Sequence, residues 1–138
     1  MSTPTYRQSN EHFTYNNANP KNSKSSGDCV VRAIALGTGK SWDEVFEALC
    51  TLGMKLKAMP NDDKVYNKYL EQLGYTKLKQ PRKSDNTKYT VKEFASKARK
   101  GDVYIINVAN HLTCVMENKV QDTWDCGYKC VGNYWKIR

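Results

Sequence analysis

Gly27-Asp28-Cys29-Val30-Val31-Arg32-Ala33-Ile34-Ala35 is the stretch from which the rest of the chain is read. A polar segment gives way here to an apolar helix, and a cysteine stands directly behind Gly-Asp. Asp28 has the right chemistry for an N-cap, a carboxylate that accepts from the unpaired N–H groups of the first turn. Val30, Val31, Ala33 and Ile34 supply a buried stripe, so the spacing predicts a helix over residues 29–36. Cys29 then lies at the positive end of the helix dipole, a position that favours thiolate over thiol. The anionic Asp28 opposes that preference, so a positive partner is still wanted.

Downstream, Gly37-Thr38-Gly39 stops this helix. Ser41-Trp42-Asp43-Glu44 reads as a capping box before Val45, Phe46, Leu49 and Leu52, with Gly53 as the end. A third helix is expected over residues 62–73, with Val65, Tyr66, Tyr69, Leu70 and Leu73 on one face and Gly74 closing it. Residues 75–79 read as a short strand and 80–88 as a polar loop. Thr90-Val91-Lys92-Glu93 is a second capping box, opening a helix with Phe94, Ala95 and Ala98 inward and Gly101 as its stop. The period then falls from 3.6 to 2. Residues 103–108 read as a buried strand, 112–116 and 119–124 as a hairpin about Glu117-Asn118, and 130–135 as the last strand. Helices first and an antiparallel sheet afterwards define the α+β class.

Upstream, residues 1–26 are rich in Asn, Ser, Thr, Lys and Pro without a period, which predicts an extended or partly disordered arm. Tyr6, Phe13 and Tyr15 are the residues able to pin it to the body. The arm reads equally as a lid over a cleft or as a flexible leader. The chain of 138 residues is long enough for one core, taken as a domain over residues 27–138. It carries no apolar run of membrane-spanning length and no signal-peptide core, which implies a cytoplasmic protein. Five cysteines, an odd number at irregular spacing, argue against a disulfide framework. The net charge of +8 is dispersed over lysine-rich stretches at 55–57, 77–88 and 92–100. Solvated helix faces account for most of it. A nucleic-acid surface is the alternative, with no zinc-finger, RNA-recognition or helix-turn-helix signature beside it.

Two histidines occur. His12 lies in the arm; His111 opens the strand after the strongest one. A hairpin centred near Asn118 places position 113 opposite 122, so His111 and Asp122 fall as near neighbours on one face. A helix-borne Cys29 packed against that edge completes a nucleophile, a general base and a carboxylate that orients it. Asp125 competes with Asp122 for the third place, and capping the Cys126-Gly127 turn is its other use. Cys50 and Cys114 read as small buried hydrophobes. Trp124 and Trp135 read as core or cleft wall.

Gly-Asp-Cys at a helix start, then His-Leu-Thr-Cys-Val-Met and Val-Gln-Asp-Thr-Trp, resembles the small papain-like cysteine peptidases. The likeness is to the minimal phage and bacterial forms and to the bacteriocin-processing and cell-wall branches, and it covers residues 27–135. It implies a papain-like fold, Cys29 as nucleophile, His111 as base and Asp122 as third member, with no cofactor and a peptide or protein as substrate. The resemblance is broken at the position about six residues before the cysteine, where the family's oxyanion glutamine is replaced by Ser23. Asn22 and Asn19 are the nearest amides, and the Cys29 N–H is one further donor.

Two other patterns are weaker. His111, Cys114, Cys126 and Cys130 have donor types that suit zinc. Residues 111 and 114, three apart on a strand, point to opposite faces, which disfavours that set. Gly37-Thr38-Gly39-Lys40-Ser41 lacks the first glycine and the preceding strand of a phosphate loop. The leading expectation is therefore acyl transfer from a peptide or isopeptide bond, to water or to another amine. The rival is a non-catalytic phage protein on the same scaffold, binding a host protein or nucleic acid through its basic face.

Overall fold

Glu117 and Asn118 both take positive φ, 53° and 60°, as the two-residue turn of a tight hairpin requires. The computed structural model describes residues 9–21 and 27–138. The turn joins β4 (His111–Met116) to β5 (Lys119–Asp122), in the register Val115 opposite Val120 and Cys114 opposite Gln121. A second two-residue turn, Ala109-Asn110 with Asn110 at φ 58°, joins β4 to β3 (Tyr104–Val108). On the far side of β3 lie β6 (Tyr134–Lys136) and then the short β2 (Lys77–Leu78), both antiparallel to their neighbours.

The remaining edge departs from the expected all-antiparallel sheet. β1 (Phe13–Tyr15), from the segment read as an arm, pairs parallel with β5, making a mixed six-stranded sheet in the order β1-β5-β4-β3-β6-β2. Three residues are too few to display a period. Their strand state comes from the β5 edge, where the Val120 N–H donates to the His12 carbonyl and the Asn16 N–H to the Asp122 carbonyl. Phe13 is fully buried beneath it, the anchoring role expected for that residue; Tyr6 lies outside the described residues.

Among the described residues there are four helices: α1 (Cys29–Thr38), α2 (Trp42–Leu56), α3 (Asp63–Gln72) and α4 (Val91–Lys97). Of the two expected capping boxes only the second forms in full; at the first, Glu44 turns its carboxylate to Lys40. Ser41 accepts from the Glu44 N–H, and Thr90 and Glu93 cap each other reciprocally. Two glycines read as stops are instead interior. A Cβ on Gly37 would stand 2.9 Å from Ile105 Cγ1, and one on Gly53 2.6 Å from the Ala58 carbonyl oxygen. Both are close-approach points, and the helices end at Gly39 and Lys57 in left-handed conformations.

The sheet has a core on each face. Ile105, Leu112 and Trp135 pack with α1, α2 and α3. Ile106, Val108, Val115 and Val120 pack with Phe13 and with Val91 and Ala95 of α4. Alternate residues of β3 serve opposite cores, Ile105 one and Ile106 the other, which is why residues 103–108 read as a buried strand. This is an α+β architecture in which α1 meets the strand that carries His111. No helix of the described residues is long and apolar enough to cross a membrane.

Candidate active site

Cys29 is the first residue of α1, where the N–H groups of the opening turn have no intrahelical acceptor. Asp28 precedes it but does not cap. Its backbone, at φ −104° and ψ 27°, lacks the extended shape of a capping residue, and its side chain makes no cap hydrogen bond. The carboxylate turns inward and is buried. It accepts from Arg32 Nη1 at 2.6 Å, Trp42 Nε1 at 2.8 Å and Asn19 Nδ2 at 2.9 Å. One carboxylate thus ties together the segment before α1, α1 itself and the start of α2. Arg32, one turn along α1, is the positive partner that the Asp28-Cys29 pair needed.

The sheet side follows from strand parity. His111 and Thr113 are two apart on β4 and share a face, and Asp122 stands opposite Thr113 one step beyond the Cys114–Gln121 pair. His111 Nε2 lies 2.6 Å from Asp122 Oδ2. The Thr113 hydroxyl donates to the same oxygen at 2.6 Å, and the Thr123 N–H donates to Oδ1 at 2.7 Å. Asp122 is buried with these donors around it. The Trp124 ring stands edge-on to the imidazole at 4.9 Å between centroids.

Cys29 and His111 face the same cleft, and each displaces the other's titration. Burial by itself would raise the Cys29 thiol. Interaction with His111, a backbone hydrogen bond from Leu112 and the charges of His111 and Arg32 outweigh it, and the thiol lies below its ordinary value. Burial would likewise lower His111. Its interactions with Asp122, Cys126 and Cys29, with the charge of Asp122, push it up to about 11. Both displacements favour the thiolate–imidazolium form of the pair over the neutral one.

Asp125 is not part of this chain. Its Oδ2 lies 3.0 Å from His12 Nε2 and its Oδ1 accepts the Gly127 N–H, so it links the β1 segment to the turn it was expected to cap. Of the two oxyanion amides, Asn22 lies outside the described residues. Asn19 is buried, with its N–H₂ given to Asp28 and its oxygen accepting the Lys21 N–H, which is a structural role. The four zinc-type residues are not gathered. Cys114 packs toward Gly37, Cys130 is exposed, and the group that does converge is His111, Asp122 and Cys126, within 4.8 Å. Burial raises the Cys126 thiol, which keeps it protonated.

A cleft of about 390 Å³ opens onto Cys29 and His111. Tyr66 and Asn107 form part of its wall, and the Asn107 amide donates to the Tyr66 hydroxyl at 2.6 Å. Arg32, Thr113 and Trp42 belong to the site although no motif marks them. The one legible signal was Arg32 at i+4 from Asp28, the spacing of a helical ion pair. Comparisons of the chain with protein-family models, with curated proteins and with solved structures find no match.

Proposed function

We propose that this chain is a papain-like cysteine peptidase or a related acyltransferase, acting on a peptide or isopeptide bond through Cys29, His111 and Asp122. The observation that carries this reading is the convergence of Cys29 and His111 on one cleft, with His111 Nε2 held 2.6 Å from Asp122 Oδ2, the thiol displaced downward and the imidazole upward. The papain-like assignment draws on the same layout, a nucleophile at a helix N-terminus packed against a sheet that bears the base and its carboxylate. His111 Nε2 is committed to Asp122, which leaves Nδ1 to exchange a proton with the sulfur.

The Cys29 thiolate adds to the substrate carbonyl, and the resulting oxyanion is met by the Cys29 N–H at the start of α1. As the C–N bond breaks, its electron pair leaves with nitrogen and the His111 imidazolium supplies that nitrogen's proton. The thioester is then resolved. His111 takes a proton from water or from an acceptor amine, the new C–O or C–N bond forms, and the C–S bond releases the thiolate. Asp122 holds the ring throughout, fixed in turn by Thr113 and the Thr123 N–H.

The test is iodoacetamide alkylation across pH, located by peptide mass spectrometry, on the wild type and on His111→Ala. Cys29 should react first among the five cysteines well below pH 8, and lose that advantage in the variant. Reaction no faster than that of exposed Cys130, or indifference to His111, overturns the catalytic reading.

A further inference from the structure

We infer that an apolar groove beside α2 receives the acyl-side segment of a protein substrate, with one large side chain against Trp42 and Phe46 and a second over Met54 and Met59. This inference rests on the acyl-transfer reading of Cys29. A depression of about 890 Å³ is walled by Val30, Val31, Trp42, Phe46, Met59 and Pro60. It reaches Asp28 and Val30, the two neighbours of Cys29, and shares Val30 and Asn61 with the catalytic cleft. A second depression, about 680 Å³, continues from the shared Met59 and Pro60 to Met54.

The shared lining residues set the three depressions side by side, from the cleft of Cys29 along α2. Of the five large hydrophobic side chains exposed among the described residues, Phe46, Met54 and Met59 line this path. Met54 and Met59 are 73% and 70% exposed, far more than a core role explains. Apolar surface continuous with a reactive cleft marks binding rather than chance exposure. Its near wall is rigid, since Trp42 stacks on Phe46 at 4.9 Å and is anchored through Nε1 to Asp28. Its far wall is methionine, which reshapes to fit varied apolar groups.

Direction follows from proton transfer. The leaving nitrogen must sit beside His111 to be protonated, so the acyl portion extends the other way, past Asp28 and onto the groove. Binding there adds to reaction at Cys29 without touching the reacting atoms.

The experiment uses a tetraglycyl vinyl sulfone and the four analogues in which one Phe replaces each Gly in turn. Inactivation rates at Cys29 are compared with those for iodoacetamide, which carries no side chain. Phe at one or two positions should speed inactivation about tenfold or more over the glycyl probe, the discrimination expected of an apolar subsite. Phe46→Ser and Met59→Ser, changes at exposed positions, should abolish that preference and leave the iodoacetamide rate unchanged. An activated Cys29 with a flat response to Phe, or a preference indifferent to both substitutions, overturns the groove and spares the catalytic reading. So does acceleration of every probe by Phe46→Ser, the mark of a groove covered by this chain or by a second copy. An unreactive Cys29 overturns both.

Discussion

Arg32 Nη1 meets Asp28 Oδ1 at 2.6 Å, an i,i+4 pair that brackets Cys29 at the start of α1, with both side chains almost out of solvent. The contact neutralises the one anion adjacent in sequence to Cys29 and leaves the helix N-terminus free to favour a thiolate. Breaking a buried ion pair from one side strands the other charge and costs about 3–5 kcal/mol. Arg32→Met should therefore lower stability by that order in urea unfolding and move the onset of Cys29 alkylation to higher pH. Unchanged alkylation in a folded Arg32→Met protein would remove Arg32 from the site's electrostatics.

The two coupled groups make opposite contributions across pH. The Cys29 thiol is depressed from 9.0, so its stabilising contribution is full above 9.0 and is lost as pH falls through the lowered value. His111 is raised from 6.5 to about 11, so its contribution is full below 6.5 and is lost as pH rises toward 11. In a Cys29→Ser background only the second remains. The stability advantage of His111 over His111→Gln should then shrink as pH rises above 6.5, over a window set by Asp122 without the contribution of Cys29. An advantage that grows with pH in urea titrations would reverse the assignment of a charged imidazole.

Asp122 positions the ring through Oδ2, where His111 and the Thr113 hydroxyl converge. Asp122→Ala should cut the alkylation rate of Cys29 at pH 6.5, and kcat/KM on any substrate found, by roughly a hundredfold or more. Asp122→Asn, which keeps an acceptor oxygen, should lose less. Thr113→Val removes a buried donor and should cost about 1–3 kcal/mol in stability with a smaller loss of reactivity. Equal effects of Asp122→Ala and Asp125→Ala on Cys29 would contradict the geometry, since Asp125 is engaged by His12.

Phe13 stands fully buried against the core beneath α4. Phe13→Ala should destabilise the whole domain by about 3–5 kcal/mol, as large-to-small changes in a core do. A loss confined to local protection at β1, with the global transition unmoved in hydrogen exchange, would make the strand an appendage.

Local structure was legible because it is decided within a few residues. Helical spacing placed the stripe Val30, Val31, Ala33 and Ile34, and Thr90 and Glu93 announced their own cap. The Glu117-Asn118 turn set the register of β4 on β5. Strand parity then aligned His111 with Asp122 before any packing was known. Gly37 and Gly53 were misread because glycine serves a close approach as readily as a stop, and only the neighbour, Ile105 or the Ala58 carbonyl, distinguishes the two.

Tertiary structure decided everything that depends on which distant groups meet. Asp28 looked like a cap, yet Arg32, Trp42 and Asn19 converge on its carboxylate and draw it inward. Asp122 and Asp125 were rivals until His111 engaged the first and His12 the second. Phe13–Tyr15 became a strand only because β5 offered an unpaired edge. The sequence by itself determined the four helices, the hairpin and the face shared by His111 and Asp122, since hydrogen-bond periodicity and turn chemistry act over a few residues. The meeting of Cys29 with His111, and with it the displaced thiol, arises only when α1 is packed against β4, because burial and charge proximity are properties of the assembled layers.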